Sequence, residues 1–398
     1  MRVRVMEEKM AGGVATHSTL GILGGGQLAR MMVLAGVPLG VRFRIVDPVV
    51  DACAGQVAPL LNADWSAFGE MESFARDIDA ATFDFENVPA ATAEWLVDHA
   101  RVAPNARSLA IAQDRVLEKK LFRQCGLPTT EFADVAVRTD LDAALARIGA
   151  PAILKTRREG YDGKGQFRLK TVDDADSAWN ALGAQAESRG LILEGFVDFD
   201  CEASVIAVRT ADGGFDTWPV TRNWHVGGIL SASLAPAPVG DEIGQAARAH
   251  ARAIAEELDY VGVFALELFV RGDRLLGNEM APRVHNSGHW TIEGAVTSQF
   301  ENHVRAVLGM PLGDTASRGL SCMLNWIGEL PDRDALIAIP GAHWHDYGKS
   351  PRPGRKVGHA TICGDDAAML AGRLRLVGQA LDRNAQVQPV IDALTAVR

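Results

Sequence analysis

The sequence predicts a multidomain fold of mixed α/β and α+β type organised around clefts. A strand-like run followed by a Gly-rich turn and an apolar-periodic helix opens the patterned part of the chain, and two later segment pairs read as hairpins. At 398 residues the chain also exceeds what one hydrophobic core usually organises. Apolar residues at 47% against charged residues at 23% leave no long stretch too polar to fold.

The elements follow in order. Residues 19 to 23 (TLGIL) read as a buried strand, and Gln27 to Leu34 as an amphipathic helix. Strand-like runs at 43 to 46 (FRIV) and 82 to 85 (TFDF), with helical stretches between, give the alternation of a parallel sheet. A helix over 114 to 125 ends at Gly126-Leu127-Pro128, after which AILK (152 to 155), a Gly-rich loop and QFRLK (166 to 170) form a hairpin. Helical periodicity over 241 to 258 precedes a second hairpin, 262 to 270 and 274 to 279, around Gly272-Asp273. Past 310, short strands alternate with Pro/Gly loops and end in an Ala/Leu-rich helical tail.

A formal net charge of −10 gives no footprint for nucleic acid or an anionic membrane. Cys53, Cys125, Cys201, Cys322 and Cys363 are scattered without a Cys-x-x-Cys pair and read as buried thiols rather than disulfides or a zinc site. Glu7, Glu8 and Lys9 interrupt the start where a signal peptide needs an apolar run, and no stretch reaches transmembrane length, so a cytoplasmic location is expected.

Five segments carry chemistry. Gly24-x-Gly26-x-x-Ala29 after a strand, with Asp47 beyond it, nominally satisfies a dinucleotide fingerprint; it equally suits a nucleotide monophosphate or a structural turn. The run from Lys155 through Gly160, Gly163, Lys164 and Gly165 to Gln166 has the flexible backbone N–H groups and ammonium charge that neutralise a triphosphate, or is a plain hairpin tip. Glu267 and Glu279 face one another if the second hairpin has a three-residue turn, and such a pair needs a cation such as Mg²⁺. With a two-residue turn Glu279 faces away. Asn278 beside them suits a neutral ligand or a group that positions phosphate. The segment Ala281 to Trp290 concentrates hydrogen-bonding side chains in a loop, with Ser287 a plausible cap for a helix starting near Thr291. Lys349 to Lys356, stiffened by two prolines, suits a phosphate monoester or is a solvated basic loop. Asp84 and Glu86 end a strand at the edge where α/β sheets bind ligands, and His225 is either packed or a ligand contact.

Taken together, GGGQLARM, DFENVP, GYDGKGQ, NEMAPRVHNSGHW and RPGRKVGH resemble, in order and spacing, the 5-(carboxyamino)imidazole ribonucleotide synthases, ATP-grasp ligases of purine biosynthesis. The resemblance covers roughly residues 19 to 365. It implies an ATP-grasp fold with a Rossmann-like domain over 19–115, a lid subdomain over 116–200 and a C-terminal domain over 201–398, and residues 1–18 depart from it as an extension past the family's usual start. It implies that ATP is bound by Arg115, Lys155, the loop Gly160, Tyr161, Asp162, Gly163, Lys164, Gly165 and Gln166, the hinge Glu194, Gly195, Phe196 and Val197, and by Glu202, His225, Asn278 and Glu279. Glu267 and Glu279 hold Mg²⁺ in that reading, so the hairpin should carry a three-residue turn or a bulge. Aminoimidazole ribonucleotide falls to Gly26, Gln27 and Leu28 of the Gly-rich turn, Glu86, Arg283, His285, Asn286, Lys349, Arg355 and Lys356. Tyr161, Asp162 and Arg283 are the candidates for handling bicarbonate and the amine proton, and a homodimer is the family's expected assembly.

Ala29 stands where glycine is frequent, and Ala281 where many ATP-grasp enzymes place an asparagine ligand, which leaves a second Mg²⁺ open. The sister formate-dependent glycinamide ribonucleotide transformylase differs in the loop that here reads RVHNSGHW. A dinucleotide-dependent oxidoreductase leaves the Lys155 loop, both glutamates and RPGRKVGH without employment, and a non-catalytic paralogue would need a lost site charge.

Overall fold

The computed structural model describes residues 18–160 and 165–396. Five parallel strands, β1 (Thr19–Leu23), β2 (Arg42–Asp47), β3 (Leu60–Asn62), β4 (Ala80–Phe83) and β5 (Arg101–Val102), form the first sheet in the order β3-β2-β1-β4-β5. The strand order reverses at β1, so the crevice beyond the carboxyl ends of β1 and β4 is where such sheets take ligands. β4 stops at Phe83, which leaves Asp84 and Glu86 on the loop beyond it rather than in the strand. Leu20 and Ile22 are buried on one side of β1, and the helix Gln27–Gly36 covers them with Leu28, Met31 and Met32.

The second sheet is antiparallel: β6 (Phe132–Val135), β7 (Ala152–Thr156), β8 (Gln166–Leu169) and β9 (Leu191–Gly195), in the order β6-β9-β7-β8. Period-two burial along β7 sends Ala152 and Leu154 inward against the helices Arg138–Ile148 and Ala175–Leu182. Ile153 and Lys155 therefore project from the opposite face, into a cleft. β7 pairs with β8 up to Lys155 opposite Gln166, as a hairpin requires.

Nine strands make the third sheet: β10 (Cys201–Arg209), β11 (Phe215–Thr217), β12 (Thr221–Val226), β13 (Ile229–Ala235), β14 (Gly262–Arg271), β15 (Arg274–Ala281), β16 (Leu320–Ile327), β17 (Ala342–Asp346) and β18 (Lys356–Gly364). Its main path runs β15-β14-β10-β12-β13-β16-β18-β17, with β11 beside β10. The helix Asp241–Glu257 buries Ala247, Ala251 and Ile254 against β10 and β15, while the helices Ala367–Ala380 and Asn384–Ala396 seal the β16–β18 end. His303, on the helix Gln299–Leu308, links sheets one and three. Its Nδ1 accepts the Val263 N–H (3.0 Å), which leaves Nε2–H to donate to Thr82 Oγ1 (2.7 Å). No helix among the described residues is long and apolar enough to cross a membrane.

Candidate active site

The β14–β15 turn has two residues, Gly272 and Asp273 with Arg271 opposite Arg274, and Gly272 takes a positive φ of 59°. A regular ladder from that turn would put Glu279 on the wrong face. Leu268 pairs with Gly277 but Glu267 pairs with Glu279, so Asn278 is the extra residue of a β-bulge that restores the opposition. Three-residue closure is thus corrected in favour of the bulge, and the two carboxylates meet because the ladder breaks between them.

Cations surround this pair. Arg115, first residue of the helix Arg115–Gln124, donates to Glu279 Oε2 (2.9 Å) and to the Gly160 carbonyl (3.1 Å). Burial pushes the Glu279 carboxyl up, but Arg115 outweighs it and holds it well below the carboxylate range. Glu267 meets no guanidinium, only the His285 ring nitrogen at 3.3 Å, and burial and the neighbouring Glu279 raise it. Among the described residues no three or more His, Cys, Asp or Glu side chains cluster as a metal site. Two opposed carboxylates, one destabilised as an anion, instead fit a Mg²⁺ that takes its other ligands from nucleotide phosphates and water.

Lys119 and Glu118 were not singled out from the sequence, and both belong here. The helix Arg115–Gln124 buries Lys119 fully, yet its Nζ lies 3.4 Å from Glu194 Oε1 and 3.3 Å from the Asn278 carbonyl. Lys155 reaches the other oxygen of Glu194 at 2.9 Å. Burial raises the Glu194 carboxyl, but Lys119, Lys155 and Arg115 overcome that and bring it to about 2. The Glu118 carboxylate accepts the Met280 N–H (2.6 Å), and burial with nearby Glu279 raises its carboxyl. Helical periodicity hid both, because positions facing the core on a helix are expected to be apolar.

Two adjoining cavities share Arg115, Gly160, His225, Glu267 and Glu279 in their walls, so the cleft is continuous. On one side stand Lys155, Gln166, Asn278 and Glu202, whose Oε2 lies 2.8 Å from His225 Nδ1, together with the stacked rings of Phe199 and Phe269. In the segment Glu194 to Val197, the Gly195 N–H donates to the Glu131 carbonyl and Phe196 carries Arg168 over its ring. Glu194 and Val197 are buried. Tyr161, Asp162, Gly163 and Lys164 lie outside the described residues.

The other side is lined by Glu86, Arg283, His285, Asn286 and Lys356. Arg283 Nε pairs with Glu86 Oε2, and that pairing keeps the Glu86 carboxyl low against the pull of burial. Gln299 grips the His285 backbone at both ends, accepting its N–H (2.9 Å) and donating to its carbonyl (2.7 Å). Burial, with Arg283 and Lys356 nearby, brings His285 down to about 3, a neutral ring. Ser287 caps nothing at Thr291. It sits in the short turn Asn286–Gly288, fully buried, and bonds Ser204 and His285. Arg355 is tied to the Ser350 carbonyl (3.2 Å), and Lys349 Nζ contacts Gln27 Oε1, joining the basic loop to the Gly-rich turn.

That turn departs from the dinucleotide pattern. Asp47 does not reach out for a ribose: its carboxylate accepts the N–H groups of Gly25 (2.6 Å) and Val49 (2.7 Å). Asp84 accepts those of Gly26 (2.7 Å) and Ala29 (2.8 Å), so a protein carboxylate already sits where a helix N-terminus would hold phosphate. A Cβ on Gly26 would come within 2.4 Å of Asp84 Oδ2, which is why glycine is needed there.

Comparison with known proteins agrees with this architecture. The chain matches the family models of a ribonucleotide synthetase preATP-grasp domain over residues 17–113, an ATP-grasp domain over 120–300, and a phosphoribosylaminoimidazole carboxylase C-terminal domain over 321–373. It is 47% identical over 374 residues to N5-carboxyaminoimidazole ribonucleotide synthase of Pseudomonas aeruginosa, covering 94% of this chain and 99% of the relative. The Brucella melitensis enzyme of the same name is 43% identical over 86% of this chain and 96% of its own. The crystal structure of the Thermus thermophilus synthetase superposes with a TM-score of 0.87 at 50% identity, over 92% of this chain and 99% of that one. The Aspergillus clavatus enzyme in complex with ADP and 5-aminoimidazole ribonucleotide superposes at 0.82 and 29% identity, over 96% and 99%. The chain belongs to the N5-carboxyaminoimidazole ribonucleotide synthase family of ATP-grasp ligases.

Proposed function

We propose that the two halves of the cleft divide the work of one ligase, MgATP on the Lys155 side and aminoimidazole ribonucleotide with bicarbonate on the Arg283 side. The chain is an ATP-dependent ligase of purine biosynthesis that forms N5-carboxyaminoimidazole ribonucleotide. The observation that carries the division is the Glu267–Glu279 pair, which stands in the wall common to both cavities.

In this reading bicarbonate oxygen attacks the γ-phosphorus, the bond to ADP breaks, and carboxyphosphate forms. The ribonucleotide's amine then attacks the carboxyl carbon, phosphate leaves, and the amine loses a proton. Glu267 and Glu279 are the residues that would hold Mg²⁺, which would supply charge neutralisation to the nucleotide phosphates. Lys155 and Lys119, both paired with Glu194, bring cationic charge to the phosphates; Arg115 completes the cationic wall. Arg283, braced by Glu86, holds the anionic carboxyl group, and Tyr161 and Asp162 handle bicarbonate and the amine proton. Lys349, Arg355 and Lys356 take the 5′-phosphate as point charges and a bidentate fork. Carboxyphosphate is labile in water, and its formation a short step from the amine limits its loss.

The lid and C-terminal divisions at 116–200 and 201–398, a homodimeric assembly and a cytoplasmic setting belong to the same proposal. The test is ADP release from MgATP with aminoimidazole ribonucleotide and bicarbonate added separately and together. Full turnover with stoichiometric carboxylated product only when both are present supports it. Release that depends on glycinamide ribonucleotide and formate would sink it.

A further inference from the structure

A buried chain of hydrogen bonds runs from the floor of the third sheet to the His285 ring, and its donors point one way throughout. Ser233 Oγ–H donates to Asn223 Oδ1 (2.8 Å), and Asn223 Nδ2–H donates to Ser204 Oγ (3.1 Å). Ser204 Oγ–H donates in turn to Ser287 Oγ (2.7 Å). Ser204, Ser233 and Ser287 are fully buried and Asn223 nearly so, so water does not compete for these bonds. Ser287 Oγ accepts from Ser204 and spends its own proton on His285 Nδ1, 2.9 Å away. The Ser287 backbone N–H points at the same nitrogen from 3.3 Å. A nitrogen facing a backbone N–H must be an acceptor, since that group cannot reverse its polarity. The imidazole proton therefore sits on Nε2, which lies 3.3 Å from Glu267 Oε1 in the wall of the cleft.

We propose that Ser287, Ser204, Asn223 and Ser233 are positioning residues that hold His285 as the neutral Nε2–H tautomer, a fixed donor to the carboxyl oxygens in transit. The proposal rests on the reading of the cleft given above. A His285 ring in this state accepts no proton from the amine, because its one free lone pair is spent on Ser287. Gln299 fixes the His285 backbone through its N–H and its carbonyl, while the ring itself is oriented by the two Ser287 contacts on Nδ1. A donor preorganised in this way needs no reorientation when negative charge develops on the carboxyl group.

The experiment is long-range ¹H–¹⁵N correlation on the full chain with ¹⁵N-labelled histidine near neutral pH, the His285 signals among ten histidines being assigned by their loss in His285→Gln. The parent should show a protonated Nε2 and an unprotonated Nδ1, and Ser287→Ala, left with only the longer backbone N–H contact of 3.3 Å on Nδ1, a minor Nδ1-protonated fraction beside the parent form. In turnover, Ser287→Ala should lower kcat about tenfold while the KM for ATP stays within twofold, the effect of one misdirected hydrogen bond. Ser233→Ala, at the far end of the chain, should do the same more weakly. A parent His285 protonated on Nδ1 or on both nitrogens overturns the proposal, whether or not any variant folds. So does a Ser287→Ala protein with the parent's tautomer and kcat. If aminoimidazole ribonucleotide fails to stimulate ADP release, the functional reading falls instead, and the tautomer still decides the positioning on its own.

Discussion

Replacing Asp84 by Asn tests whether a protein carboxylate has taken over the Gly-rich turn. In the parent, one carboxylate accepts two backbone N–H groups at 2.7 and 2.8 Å, at the start of the helix Gln27–Gly36. Hydrogen bonds to charged groups contribute about 1.5–3 kcal/mol each, and a negative charge on a helix N-terminus adds roughly 0.5–2 kcal/mol when partly buried. Asn retains a single acceptor oxygen, so one N–H loses its partner and meets an amide donor while the dipole loses its counter-charge. The expected cost is about 2–4 kcal/mol of unfolding free energy, read by urea denaturation with the m-value checked for constancy. Because Gln27 follows Gly26 and meets Lys349 across the site, the KM for aminoimidazole ribonucleotide should rise about tenfold with the KM for ATP unchanged. Asp84→Ala leaves both N–H groups open, and inorganic phosphate should then raise its Tm more than it raises the parent's. An Asn variant within about 0.5 kcal/mol of the parent, a range typical of surface substitutions, would refute the reasoning.

Three further outcomes follow from the geometry. Lys119→Met should weaken ATP binding tenfold or more by calorimetry and leave aminoimidazole ribonucleotide binding unchanged, since the buried Glu194 then keeps Lys155 as its nearer cation. Deleting Asn278 removes only the bulged residue, so a regular ladder from the two-residue turn still sets the glutamates opposite one another. The shortened protein should fold with a near-parental circular dichroism spectrum and lose affinity for ATP, whereas an unfolded product would show that the bulge serves the sheet. Burial holds His303 at about 3, below its ordinary 6.5, so it is neutral in the fold and protonated in the unfolded chain throughout the interval between. Stability from this group is present above about pH 6.5 and is lost as pH falls toward 3, by about 2 kcal/mol between pH 7 and pH 5. In His303→Gln, the stability difference between those two pH values should shrink by that amount, and an unchanged difference would exclude His303 as its source.

The strands and helices around the site were legible because their patterns are local. TLGIL and the helix after it, the period-two burial of AILK and the helix over 241 to 258 each follow from neighbours along the chain. The motif residues were legible as polar groups placed where folding alone gives them no use. Their partners were not. Asp47 and Asp84 satisfy backbone N–H groups 22 and 58 residues away in sequence, and Lys119 reaches Glu194 from another element altogether. Ser287 read as a helix cap because capping is the commonest local use of serine, whereas its actual partner, Ser204, is 83 residues distant.

By itself the sequence determined the residue types the chemistry uses and the order in which the chain delivers them: a glycine turn, a lysine with a glycine loop, two glutamates, a polar loop and a basic loop. Tertiary structure decided which of them meet. A two-residue turn would have sent Glu279 to the wrong face, and only the bulge at Asn278 returns it, a choice made by packing against the helix that carries Arg115, Glu118 and Lys119. Register is set by the hairpin as a whole, and protonation by burial and neighbouring charge, so neither property resides in any one residue.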